Sequence, residues 1–218
     1  ASDVYKRQAL QLGNVPMILF SGGLIQELET GYKLFEQTVP IDVVHRVFQL
    51  GQQYSWHIQS YVDDHLLCHH KNWQSDHYEQ QTGAVAEFLG DTIYTLSSEP
   101  NKLIAIDTEE GIDRIIEILT PLVGNQVTLV RSQRDFLEIT APNVSKGRAL
   151  AQLALDNNLS LDNIVSFGNA ENDISMLSET GYSVAVSNAT EHVKSVANEV
   201  CGHHNEDGVA HWIEKNLL

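Results

Sequence analysis

Apolar residues along this chain recur in two rhythms, and the change between them sets the expected architecture. Val15-Pro16-Met17-Ile18-Leu19-Phe20 is a short apolar run that reads as a buried strand, ended by Ser21-Gly22-Gly23. Leu24-Ile25 and Tyr32-Lys33-Leu34-Phe35 flank Glu29-Thr30-Gly31, which predicts a hairpin. From Pro40 the period lengthens. Val43, Val44, Val47, Phe48 and Leu50 follow helical spacing, with Pro40 near the helix start and Gly51 able to end it. Trp56, Ile58, Ser60 and Val62 then alternate as in a strand, residues 65–70 do so less cleanly, and Asp63-Asp64 is the turn between them. A weak helix is expected over 75–89, a strand over 102–107, and a helix over 109–119 with Ile112, Ile115, Ile116 and Leu119 on one face. Residues 126–131 and 135–140 make a closing hairpin. This order suits an antiparallel sheet with helices on one face.

Beyond residue 140 strands and helices alternate, as they do in a parallel sheet. A helix opens at Ser145-Lys146. Residues 163–167 read as a buried strand and Ile174, Met176 and Leu177 as the start of a helix. A strand over 182–186, a helix from Thr190, a brief strand at Val200-Cys201 and a helix over 209–217 complete the chain.

Candidate chemistry collects where that second pattern turns. Gly168-Asn169-Ala170-Glu171-Asn172-Asp173 crowds a glycine, two amides and two carboxylates into one strand-to-helix turn. Open α/β sheets place their ligands at such turns. Asn169 and Asp173 are four apart, so both can point into one crevice, and oxygen ligands there suit a hard cation such as Mg²⁺. Lys146 opens a helix, the end that cations avoid, which makes sense if an anion sits beside it.

These residues resemble the haloacid dehalogenase superfamily and, within it, the Cof-type phosphatases. The resemblance rests on four pieces in order: Leu137-Glu138-Ile139-Thr140-Ala141-Pro142, Val144-Ser145-Lys146-Gly147, the stretch 168–177, and Asn205-Glu206-Asp207-Gly208-Val209-Ala210. It implies an α/β fold with a Rossmann-like parallel-sheet core and an inserted α+β cap domain. Residues 9–37 would be a remnant of the core, 38–139 the cap, and 140–218 the C-terminal half of the core. It also implies a Mg²⁺-dependent phosphatase that works through an aspartyl-phosphate on a small phosphorylated metabolite. Lys146 would neutralise phosphate and nucleophile, Asn169 and Asp173 would hold the metal, Asn172 would orient these groups, and Asn188 would lie at the mouth of the site. The cap would exclude water and select the leaving group.

Two departures accompany the resemblance. The family's first acid of the acidic turn is Asn169 here, an amide that can coordinate a metal but brings no charge. The family's nucleophile motif, Asp-x-Asp-Gly-Thr, does not occur in the 218 residues, nor is its second motif visible. Residues 1–8 hold Asp3-Val4-Tyr5-Lys6-Arg7-Gln8, which resembles a translated sequencing adapter, so the chain is expected to be an N-terminally truncated fragment, inactive by itself. Two other readings stay open. One is a non-catalytic phosphate-binding relative. The other is a different doubly wound enzyme, although no Gly-x-Gly-x-x-Gly and no Gly-Lys-Ser/Thr phosphate loop occurs.

Composition narrows the partners. The net charge of −16 argues against nucleic acid. No run of about 18 apolar residues marks a membrane span. Two cysteines without a metal or redox motif fit a reducing cytoplasm, and a monomer or weak homodimer is expected. His65, His69, His70 and His77 read as solvated or structural, since no Cys or carboxylate spacing completes a metal site. Arg131, Ser132 and Arg134 read as an exposed turn, and Trp56 and Trp73 as packing residues.

Overall fold

The computed structural model describes residues 13–218, and the adapter-like stretch 1–8 lies outside them. The chain forms two compact units, one ending at Val144 and the other spanning Ser145–Leu218.

The first unit contains two sheets. Strands β1 (Pro16–Leu19), β2 (Leu24–Glu27) and β3 (Lys33–Glu36) form a small antiparallel sheet. The β2–β3 hairpin stands where the turn signal put it. Strand β1 was expected to be buried, but it is half exposed, because among the described residues only β2 pairs with it. The larger sheet runs β6-β5-β4-β7-β9-β8, from β4 (His57–Val62), β5 (His65–Cys68), β6 (Ala86–Phe88), β7 (Lys102–Ile106), β8 (Thr128–Gln133) and β9 (Phe136–Thr140). Helices α1 (Ile41–Tyr54) and α3 (Glu109–Val123) bury Val44, Val47, Ile112, Ile115 and Leu119 against Leu103, Ala105, Leu137 and Ile139 of the sheet.

Helix α2 (Trp73–Thr82) covers the opposite face, where Tyr78 meets Tyr61, Leu66, Cys68, Ile104 and Ile106. Helices therefore flank this sheet on both sides, not on one as the element order suggested. The reason is legible in β7, where Ile104 and Ile106 alternate with Leu103 and Ala105. Neither face is polar, so neither tolerates water. Helix α2 was expected to reach residue 89. It stops at Gly83, which takes the left-handed conformation (φ +70°), and the chain then adds β6 parallel to β5. Its start is fixed by Asn72, whose side chain accepts from the Ser75 N–H at 2.9 Å.

Among the described residues of this unit one ion pair is buried. Lys102 Nζ donates to Glu138 Oε1 at 3.2 Å, and the Ser21 hydroxyl donates to Glu138 Oε2. Ser21 and its neighbour Phe20 both hold left-handed backbone conformations, at φ 58° and 49°. They are kept there by the carboxylate and by the Phe20 ring against Tyr61, 5.5 Å between centroids.

In the second unit β10 (Val165–Gly168), β11 (Tyr182–Val186) and β12 (Glu199–Cys201) form a parallel sheet in that order. Helices α4 (Lys146–Asp156), α5 (Ile174–Glu179), α6 (Glu191–Val196) and α7 (Gly208–Asn216) surround it. Trp212 of α7 packs on Phe167 at 5.3 Å and on Tyr182 at 5.9 Å, on one face of the sheet. Leu177 of α5 packs with Ala185, whose side chain points to the other face. The parallel sheet expected from the strand–helix alternation is present, with helices on both of its faces.

Burial pushes the Glu138 carboxyl up, but the charge of Lys102 and the hydroxyl of Ser21 more than offset this and hold it below its ordinary value of 4.5. A depressed carboxylate contributes stability that is complete above its unfolded value and is lost as pH falls through its native one. Glu138→Gln should cost roughly 3 kcal/mol at neutral pH, because it leaves Lys102 charged without a counter-ion. The gap between wild type and variant, read from urea unfolding at several pH values, should narrow as the pH drops below that range.

Candidate active site

Two helix openings meet in the second unit. Ser145 caps α4 by accepting from the Arg148 N–H at 3.2 Å, which sets Lys146 at the first helical position. Gly147 lets α4 close on α5. A Cβ there would lie 2.4 Å from the Ser175 carbonyl oxygen, and the Gly147 N–H donates to Ser175 Oγ at 3.1 Å. Gly168 ends β10, and a Cβ on it would lie 2.7 Å from Asp173 Cβ. The chain then folds the acid back through a tight 3₁₀ turn, Glu171–Asp173.

Asp173 is 4% exposed, and its carboxylate is almost fully occupied. Oδ2 accepts from the N–H groups of Asn169 and Ala170 at 2.9 and 3.0 Å. Oδ1 accepts from Lys146 Nζ at 2.5 Å. The lysine at the unfavourable end of its helix is thus matched by a buried carboxylate, while about a third of its side chain stays open to solvent.

The other residues singled out from sequence are placed differently. Asn169 is exposed and reaches Asp173 through its backbone N–H. Asn172 is half buried in the same turn. Asn188 is exposed, and its Oδ1 accepts from the His204 N–H at 3.2 Å, which ties two loops together. No hydrogen bond among the described residues joins Asn172 or Asn188 to Lys146.

Glu171 received no role from the sequence, yet it braces this turn. Its Oε1 accepts from the Thr190 hydroxyl at 3.0 Å and its Oε2 lies 2.7 Å from His192 Nδ1. Thr190 is also the cap of α6. The partners lie 19 and 21 residues away, so no local spacing could reveal them.

Among the described residues no three His, Cys, Asp or Glu side chains are gathered closely enough to hold a metal ion. With Glu171 engaged by Thr190 and His192, the turn offers the Asp173 carboxylate, whose oxygens already accept from Lys146 and two backbone N–H groups, and the exposed Asn169 amide oxygen. Mg²⁺ characteristically takes one or two carboxylates, waters and substrate phosphate, so these donors fit a minority share of its shell.

Arg131 and Ser132, expected in an exposed turn, lie in β8, where Arg131 is half buried and pairs with Asp113 and, at 3.9 Å, with Glu109, while Arg134 is exposed. Trp56 stacks on Tyr54 at 5.0 Å, but Trp73, expected to pack, is 54% exposed at the first turn of α2. His65, His69 and His77 each face a carboxylate: Glu87, Asp91 and Asp135 respectively.

A lysine and an aspartate thus meet from two helix openings beside a parallel sheet. The haloacid dehalogenase-like hydrolase family model matches residues 1–213, and the chain belongs to that family. It is 23% identical over 220 residues to the 5-amino-6-(5-phospho-D-ribitylamino)uracil phosphatase of Bacillus subtilis, covering 99% of this chain and 80% of that one. It is 25% identical over 221 residues to the pyridoxal phosphate phosphatase of Escherichia coli, covering 97% and 80%. Among solved structures, one from Thermotoga maritima matches with a TM-score of 0.84 and 27% identity, over 99% of this chain and 82% of that one. The α/β fold of this family and its class as phosphoric-ester hydrolases follow from these likenesses.

Gly147→Ala should destabilise the protein by about 1–3 kcal/mol, since the new methyl meets the Ser175 carbonyl and must push α4 off α5. Urea unfolding would measure the loss. Crystallography of the variant should find Lys146 displaced from Asp173.

Proposed function

We propose that this chain carries the lysine-and-acid part of a Mg²⁺-dependent phosphatase site for a small phosphorylated metabolite. The observation that carries this reading is the 2.5 Å contact between Lys146 and the buried Asp173. Asp173, with Asn169 beside it, would hold the metal, and Asn172 and Asn188 would contact substrate. When bound, Mg²⁺ would screen the charge crowding between anions. Lys146 then has two anions to serve. With phosphate absent it pairs with Asp173. With phosphate present its ammonium, one-third exposed, swings the short distance needed to share its protons with a phosphate oxygen. The two backbone N–H groups keep Asp173 oriented during that exchange. The relatives named for phosphoribitylaminouracil and for pyridoxal phosphate support a small phosphorylated metabolite as substrate.

Aspartyl-phosphate chemistry needs an attacking aspartate, and the Asp-x-Asp-Gly-Thr motif is not among these residues. The amide at Asn169 together with this missing motif favours a second reading, a non-catalytic phosphate-binding relative. The two readings agree on the grip and differ on turnover.

Calorimetry with Mg²⁺ and inorganic phosphate tests the grip. Lys146→Ala should weaken phosphate at least tenfold, Asp173→Ala should abolish Mg²⁺ binding, and Asn169→Asp should tighten it by restoring a charge. Phosphate binding indifferent to Lys146 would overturn the assignment. The 218 residues as they stand should not hydrolyse p-nitrophenyl phosphate with or without Mg²⁺. Robust Mg²⁺-dependent turnover would point to another nucleophile in this chain.

A further inference from the structure

A cleft of about 570 Å³ opens in the first unit, where α1 ends, β4 begins and α2 starts. That size falls within the roughly 300–1,000 Å³ of small-ligand clefts. Its frame is fixed before any ligand arrives. His57, 8% exposed, donates from Nε2 to Gln59 Oε1 at 3.1 Å, and its Nδ1 accepts from the Asn72 amide at 2.9 Å. Asn72 is in turn the cap of α2. Burial pushes the His57 pKa down, so this part of the wall carries no charge. Tyr94 stands edge-on to Phe48, 5.9 Å between centroids, and His69 packs on it at 5.0 Å. Tyr54 stacks on one side of Trp56 and does not line the cleft, so the indole meets the cleft from its other side.

The polar groups that reach this cleft share one property. The side chains of Gln52, Ser55 and Gln74 and the hydroxyl of Tyr94 line it, and among the described residues none of these side-chain groups makes a hydrogen bond. Each amide and each hydroxyl can both donate and accept. Burial and the neighbouring Asp91 push the Tyr94 phenol up, which keeps its hydrogen in place. Neither lysine nor arginine lines the cleft, so an anion finds no fixed cation there. Asp91 is its only carboxylate, engaged at the rim by His69 at 2.9 Å, so an ammonium group is poorly matched too. Such a lining matches a ligand whose own groups both donate and accept, a set of hydroxyls.

Ser55 is a second, independent observation. It ends α1 at φ 57°, the left-handed position that helices usually give to glycine. A serine there strains the backbone, and its hydroxyl stabilises nothing within the fold. Strained residues collect at ligand sites, and this one brings an unused polar group to a cleft.

We propose that this cleft binds a neutral sugar, a mono- or disaccharide. The sugar hydroxyls exchange hydrogen bonds with Gln52, Ser55, Gln74 and Tyr94. The C–H face of the sugar ring rests on the aromatic wall, whose ring faces carry the negative end of their quadrupole. The site shares no residue with Lys146 and Asp173. Its recognition uses no fixed cation, so a phosphate on the sugar adds nothing here. Gln52 and Ser55 are exposed, and affinity is accordingly modest.

The test titrates ¹⁵N-labelled whole protein with glucose, N-acetylglucosamine and maltose. It follows the indole N–H of Trp56 and the side-chain amides of Gln52 and Gln74. At least one of the three sugars should move these signals saturably. Glucose 6-phosphate should occupy the cleft no more tightly than glucose, and inorganic phosphate and benzylammonium should leave the signals unmoved. Gln52→Ala and Gln74→Ala should each weaken sugar binding by about 3- to 10-fold. Ser55→Gly relieves the left-handed strain and removes the hydroxyl, so it should raise the urea midpoint while it weakens sugar binding. A serine with a purely structural role would show no such opposition. Signals that answer to none of the three sugars would overturn the proposal. So would a tighter response to benzylammonium or phosphate than to sugar, or sugar binding undiminished in both glutamine variants and in Ser55→Gly. The wild-type titration needs no variant to fold.

Discussion

A buried negative charge governs the second unit. Asp173 is taken out of water, where an isolated carboxylate is strongly disfavoured. It is tolerated because three hydrogens point at it, two from the backbone of its own turn and one from Lys146. Much of the local sequence follows from that requirement. Gly168 is small enough to let the acid fold back under the strand end, and Gly147 lets the lysine-bearing helix come close enough. The functional candidates are thus also the solution to a solvation problem. Lys146 remains part-exposed while it does so.

The first unit meets a comparable requirement in another way. Glu138 is buried with the Lys102 cation and the hydroxyls of Ser21 and Ser132, and Ser21 is held in a left-handed backbone conformation. Two consecutive non-glycine residues there are strained by the standards of L-amino acids. The carboxylate and the Tyr61 ring hold them in place. The strained turn thus leans on a buried charge that Lys102 already neutralises.

Much of this was legible in the sequence because it is local. The helical stripe of Val43, Val44, Val47 and Phe48, the closing hairpin and the strand–helix alternation after residue 145 are all visible as periodicity. The Lys146 and Asp173 motifs were visible as violations of it, a cation at the wrong end of a helix and an acid-rich turn. What the sequence concealed is what the fold brings from afar. Strand β6 has only three residues and gains its identity from pairing with β5. The second covered face of the large sheet depends on α2, whose own apolar pattern is weak and whose start is set by the Asn72 cap. The partners of Glu171 and His69 are about 20 residues away in sequence. Trp73 was read as a packing residue from its type alone, and type does not determine which way the first turn of a helix faces.

The brace at Glu171 has a thermodynamic consequence. A ligand that orders a loose loop must offset the entropy of that loop out of its own binding energy. Here the acidic turn is pinned at Asp173 from within and at Glu171 to the capping threonine and His192 of α6. Its motion is therefore shared with a helix instead of being its own. Under the proposed function, a ligand would meet a turn whose disorder was already surrendered when the chain folded, and would spend little of its contact energy on freezing the receptor.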